Sequence, residues 1–305
     1  MAECKGTMTR RNAYLLRACL SGILALGFAA VPPAFLSTAQ AASPNATASP
    51  SANPSASPSG GSSSALDRNR ELQACAAKAE ANPDGARADA QRWRQQGGGD
   101  YAALCEALAL FHAGEFKAAG GEIEALVPTL GKDDPKAAAS LLGRAGWAWL
   151  RAGDQERAER LYSAALEKTP DDIDLLIDRA FARAEGERFW DAIADLDAAL
   201  ARDPRRADAY LYRASAHKAL SNYRQALADI DSALELKPGD PEAILLRGNV
   251  KALGGNLPAA RDDWALARRV APDSEWGRAA ADNLVRTAEV AGAAGKDTAK
   301  EKKTR

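Results

Sequence analysis

The sequence predicts an all-α protein, an α-solenoid of stacked helical pairs, and three observations carry that prediction. The 305 residues are rich in alanine and poor in aromatics, at 6%, with few β-branched runs, a composition that favours helices. Prolines recur at Pro170, Pro204, Pro238 and Pro272, each 34 residues after the last. Around them residue size repeats in one order. Small residues stand twelve and five places before each proline (Ala158 and Ala165, Ala192 and Ala199, Ala226 and Ala233, Ala260 and Ala267). A large residue stands eight places before: Tyr162, Leu196, Ile230, Trp264. Twenty-four places before comes Gly146, Ala180, Ala214 or Gly248, and twenty-eight before comes Leu142, Leu176, Tyr210 or Ile244. Small residues let two antiparallel helices approach, large ones fill the space between pairs, and the proline stops the second helix.

Taken in chain order, residues 1–41 read as an export signal. "RRNAYLLR" is the positive part, Ala18–Val31 is an uncharged apolar run, and "AQA" at 39–41 suits signal peptidase. The run is short for a bilayer span, which needs about 20 residues. The expectation is a cleaved leader and a periplasmic chain, the alternative an inner-membrane anchor at residues 18–42. Residues 42–65, made of Ser, Pro, Ala, Asn, Thr and Gly, have nothing large to bury and are predicted to be a disordered tether. Residues 66–134 are predicted to form degenerate helical pairs, the second of them a repeat-like unit at 101–134. Four in-register units follow over 139–274, namely 139–172, 173–206, 207–240 and 241–274. Residues 275–290 read as a capping helix, and 291–305 as a polar disordered tail.

Behind the leader two cysteines remain, Cys75 and Cys105, one helical hairpin apart. In an oxidising compartment an even number predicts a disulfide, and the other reading is two small buried thiols.

The 34-residue helix–turn–helix pattern with its closing proline resembles the tetratricopeptide repeat (TPR), strongly in the four central units and over roughly residues 100–290. The resemblance implies a right-handed superhelix whose first helices line a concave groove through unit positions two, five, nine and twelve. Here those positions include Trp147, Asp174, Ile177, Phe181, Asp208, Leu211, Glu242, Leu245 and Asn249. An apolar groove with an acidic rim suits a protein segment or peptide carrying a few basic residues. The Lys and Asn with which some members clamp a C-terminal carboxylate are absent. One departure stands out: the aromatic common at position eleven is present only as Trp149, followed by Arg183, His217 and Lys251.

A second pattern lies within the chain itself. Position seven reads Ala145, Arg179, Arg213, Arg247, and position twenty-three reads Leu161, Asp195, Asp229, Asp263. Where the arginine is missing, so is the aspartate, which predicts a partly buried pair inside each unit.

Other functional classes find little support. Of the 40 Lys and Arg and 41 Asp and Glu, residues 1–41 hold four basic and one acidic, so the remainder is acidic by four. There is no basic surplus for nucleic acid. His112 and His217 stand in no catalytic or ligand spacing, and two cysteines make no zinc cluster. Asp133–Asp134 and Asp171–Asp172 sit where helices start and read as caps. The expectation is no enzyme, no cofactor, no metal and no small-molecule substrate. It is an envelope interaction scaffold or adaptor, the alternative being a structural or self-associating module with no dedicated peptide ligand.

Overall fold

The computed structural model describes residues 65–288. The leader at 1–41, nearly all of the tether, the end of the capping helix and the tail at 291–305 lie outside the described residues. Among the described residues thirteen helices follow one another without a strand. The first two pairs are α1 (Ala65–Ala81), α2 (Pro83–Gln95), α3 (Gly99–His112) and α4 (Phe116–Leu130). The four regular pairs follow, α5 (Pro135–Arg151) with α6 (Gln155–Lys168), and α7 (Ile173–Glu185) with α8 (Phe189–Arg202). After them come α9 (Ala207–Ala219) with α10 (Tyr223–Leu236), then α11 (Pro241–Leu253) with α12 (Leu257–Val270). Helix α13 covers residues 275–288.

Local chemistry sets these boundaries. Asp134 caps α5, accepting from the Lys136 and Ala137 N–H groups at 2.9 and 3.2 Å, and Asp172 caps α7 through the Leu175 N–H at 3.1 Å. Both caps are as the sequence predicts. Asp240 caps α11 in the same way, with Pro241 at the first helical position, where its missing N–H costs nothing. Each of the four register prolines lies two residues beyond the end of α6, α8, α10 or α12. Helix α5 starts a turn earlier than the unit beginning at 139, because Asp134 and Pro135 supply a start signal upstream of the repeat register.

Within each pair the predicted small positions are sealed. Ala158, Ala192, Ala226 and Ala260 are fully buried, as are Tyr162 and Ile230. The small and large positions are matched one to one. A Cβ on Gly146 would lie 3.1 Å from the Tyr162 ring, and one on Gly248 2.7 Å from Trp264. Where the large residue is Leu196 or Ile230, the facing residue is Ala180 or Ala214.

The predicted charge pairs form in all three units. Arg179 donates to both oxygens of Asp195 at 2.9 and 2.7 Å. Arg213 grips Asp229 at 3.0 and 2.6 Å, and Arg247 grips Asp263 at 3.1 and 2.9 Å. The third guanidinium nitrogen reaches back to the preceding unit, to Ser163 Oγ at 3.2 Å, Asp197 at 2.6 Å and Asp231 at 3.5 Å. Each arginine therefore ties its own second helix to the one before.

The same aspartates explain the departure at position eleven. Arg183 donates to Asp195 at 2.8 Å, and Lys251 lies 2.7 Å from Asp263. A cation replaces the aromatic because a buried carboxylate faces it. His217 occupies this place in the third unit, its Nδ1 buried without a hydrogen-bond partner, and burial lowers its pKa.

Cys75 of α1 and Cys105 of α3 form a disulfide with their Cα atoms 5.8 Å apart. The bond holds the first helix to the irregular N-terminal pairs.

Candidate functional site

Successive first helices α5, α7, α9 and α11 touch one another as well as their partners, whereas successive second helices do not make comparable contacts. The first helices therefore line the tighter, inner side of the stack. Their face is the candidate site.

Three aromatic residues run along it. The Trp147 and Phe181 rings lie 6.1 Å apart, and Phe181 and Tyr212 lie 6.2 Å apart. All three are half-buried. At one end the Arg151 guanidinium lies 5.8 Å from the Trp147 ring centre, within cation–π range. Ile177, Leu211 and Leu245, predicted for the same groove, are 5–6% exposed and belong to the packed interior beneath it. They make a floor, and the aromatics stand above it.

Asp174, Asp208 and Glu242 begin α7, α9 and α11, where a negative charge also suits the helix dipole. Arg206 binds the first two together, donating to Asp174 at 2.7 Å and to both oxygens of Asp208 at 2.9 and 2.7 Å. Burial pushes the Asp208 carboxyl up, and the Arg206 hydrogen bonds more than reverse it. Glu242 has no such relief. Burial, with Asp240 and Glu275 nearby, raises its pKa to about 7, against a smaller opposing pull from Lys237.

Asn249 is drawn elsewhere. Its Oδ1 accepts from Trp264 Nε1 at 3.0 Å and from Asn283 Nδ2 at 2.9 Å, joining α11 to α12 and α13. Its amide oxygen serves the closing helix.

Sequence reasoning passed over two residues that the structure adds to this edge, Asp178 and Tyr212. Both hold position six of their units, where the chain reads Arg144, Asp178, Tyr212, Leu246. With no periodicity at that position, nothing marked it. Asp178 is half-buried, and burial together with Asp174 and Asp172 raises its pKa to about 7. Burial and then Asp208 raise the Tyr212 phenol as well.

On the opposite edge, at the C-terminal end of α9, burial lowers the pKa of Lys218. Among the described residues no group of three or more His, Cys, Asp or Glu converges to hold a metal ion.

Paired antiparallel helices of 13–17 residues, repeating every 34 and stacked in one direction, define the solenoid fold of the tetratricopeptide-repeat class. Solved structures share it. The C-terminal part of a TPR repeat-containing protein from Cytophaga hutchinsonii superposes with a TM-score of 0.55 at 14% identity, over 72% of this chain and 94% of that one. MamA from Desulfovibrio magneticus RS-1 gives a TM-score of 0.51 at 16% identity, over 58% of this chain and 97% of that one. At these identities the likeness speaks for the fold alone. No protein-family model and no curated protein matches the chain.

Proposed function

We propose that the protein is a non-catalytic interaction scaffold or adaptor that holds an extended segment of a partner protein along the first-helix face. The observation that carries this reading is the half-buried ladder of Trp147, Phe181 and Tyr212 beside an acidic edge. Aromatic rings supply large contact area at low entropic cost, and they dominate interface energies when bordered by polar groups. An acidic edge favours partners with basic side chains.

A place in the bacterial envelope is the matching proposal. It is supported by the export-signal pattern of residues 1–41 and by the Cys75–Cys105 bond, which persists where thiols stay oxidised. A second reading, self-association, draws on Trp190 at the start of α8 and Leu253 at the end of α11, which are 64% and 56% exposed.

Selecting random twelve-residue peptides on the full chain, beside Trp147→Ala and Phe181→Ala, tests the main reading. Peptides selected on the native chain are expected to bind either variant at least tenfold more weakly. Retained binding by both variants would overturn it. Changing Ile177 or Leu211 would be uninformative, because both are buried and their loss would disturb the fold.

A further inference from the structure

Among the described residues the acidic edge contains two carboxylates without an ion pair, Glu242 and Asp178, and Asp178 is the one beside the aromatic ladder. Arg206 is fully engaged by Asp208 and Asp174, and it reaches Asp178 only through space, while Asp172, Asp174 and Asp208 repel that group. Beneath this cluster lies Tyr162 of α6, 0% exposed, its hydroxyl buried without a hydrogen-bond partner. The charge that acts on this hydroxyl is Asp178. The carboxylate thus acts on a sealed hydroxyl without hydrogen-bonding to it. Folding does not need a carboxylate here, since Leu246 fills the Asp178 position in the fourth unit and is 3% exposed.

The surroundings of Asp178 state what is missing. Phe181 follows it by three residues, so the two share one face of α7. Tyr212 stands beside Phe181 on the next unit, close enough for Asp178 to act on its phenol. A carboxylate beside a pair of neighbouring aromatic rings is the chemistry that receives a desolvated ammonium or guanidinium group. We propose that Asp178, with Phe181 and Tyr212, forms a receptor for one Lys or Arg side chain of the segment bound along this face. The inference rests on the proposed peptide-binding role and adds the residue that reads charge. The cation supplies the charge that the carboxylate lacks.

A consequence in pH follows. Near neutrality the free protein carries a proton on a share of its Asp178 groups. An arriving cation must displace that proton, so binding tightens as pH rises from 6 to 8. The groups facing Asp178 are Asp172 and Asp174 at its own helix start, Arg206, Asp208 and Tyr212 from the next unit, and Tyr162 from the preceding one. Over this range the arginine stays charged, Asp208 paired with it stays ionised, and both phenols stay protonated. Glu242, which acts on Tyr212 from the following unit, is also raised to about 7, so the change that belongs to Asp178 is the part that Asp178→Asn removes and Glu242→Gln leaves in place.

The test selects random twelve-residue peptides on the full chain, on Asp178→Asn and on Phe181→Ala. It then measures the best native-selected peptide, and its copy with norleucine or citrulline in place of Lys or Arg, by calorimetry at pH 6 and pH 8. Native selection is expected to enrich a Lys or Arg next to a large apolar residue, and neutralising that residue should cost about tenfold at pH 8. Asp178→Asn should lose the preference and weaken the pH dependence, and Asp178→Asn with Glu242→Gln should abolish it, while Asp178→Asn melts no lower than the native chain at pH 8. A folded Asp178→Asn that keeps the preference overturns the inference, as do selected peptides without basic residues. If those peptides still fail on Phe181→Ala, the peptide-binding role stands and only the charge receptor falls. If no peptide is selected, or neither Phe181→Ala nor Trp147→Ala weakens binding, both fall; if Phe181→Ala alone changes nothing, the charge receptor falls.

Discussion

At the scale of single residues, the interior is decided by fit. Replacing a helical glycine by alanine ordinarily stabilises a helix by up to about 1 kcal/mol. At Gly248 the new methyl would meet the Trp264 ring at 2.7 Å, inside any normal contact, so overpacking decides the sign. Gly248→Ala is expected to lose about 1–3 kcal/mol in urea melts, and a gain would show that the ring moves freely. Asp178 sets a second expectation at this scale. Folding raises its carboxyl from 3.8 to about 7, so the folded chain keeps a proton that the unfolded chain releases. Stability is therefore lost as pH climbs through that window, and the full cost is present above it. Asp178→Asn removes the cost, and should stabilise the fold by about 1–3 kcal/mol at pH 8 with little effect at pH 4. Equal effects at both pH values, read from melts, would contradict the assignment. An acid kept at the expense of stability is what a binding surface asks of its scaffold.

At the scale of elements, turns and charge pairs do the work. The turns between α5 and α6 and between α11 and α12 pass through Gly153 and Gly255 at φ 84° and 86°. The equivalent turns between α7 and α8 and between α9 and α10 hold Glu187 and Ser221 at φ 59° and 60°, where a side chain crowds its own carbonyl. Glu187→Gly should therefore gain about 0.5–1 kcal/mol; a loss would mean that the exposed Glu187 side chain has a role in the turn. Arg213→Ala strands the buried Asp229 and should cost about 3–5 kcal/mol, more than Arg213→Met with Asp229→Leu. An equal or smaller cost for the single change would sink the pairing. These pairs were legible in the sequence because arginine and aspartate appear and disappear together, which only contact explains. The helix ends were legible through Asp134, Asp172 and the register prolines. The open surface was not. Ile177, Leu211 and Leu245 carry the repeat's groove positions, yet their depth is set by the neighbouring unit, and Asn249 is taken by Asn283 of the closing helix. Asp178 lies at a position without a pattern, so only stacking brings it to Phe181 and Tyr212.

At the scale of the whole molecule, the repeat makes stability nearly a sum over neighbours, and among the described residues the irregular N-terminal pairs carry a covalent tie. Cys75 and Cys105 stand 30 residues apart, and a loop of that size corresponds to about 3–4 kcal/mol. Reduction should lower the melting of the N-terminal helices first, with exchange protection in α9–α12 less affected. Uniform loss along the chain would show that the solenoid unfolds as one body. The arginine tie has a further consequence. Arg247 reaches back to Asp231, and Asp197 holds the same place one unit earlier, already gripped by Arg213. Excising residues 207–240 would bring Arg247 to Asp197 with every other bond of the tie in register. The stack can therefore be shortened or lengthened by whole units without redesigning a junction. For such a molecule, inner-face length is an inheritable variable, adjustable in steps of 34 residues to the reach of whatever it holds.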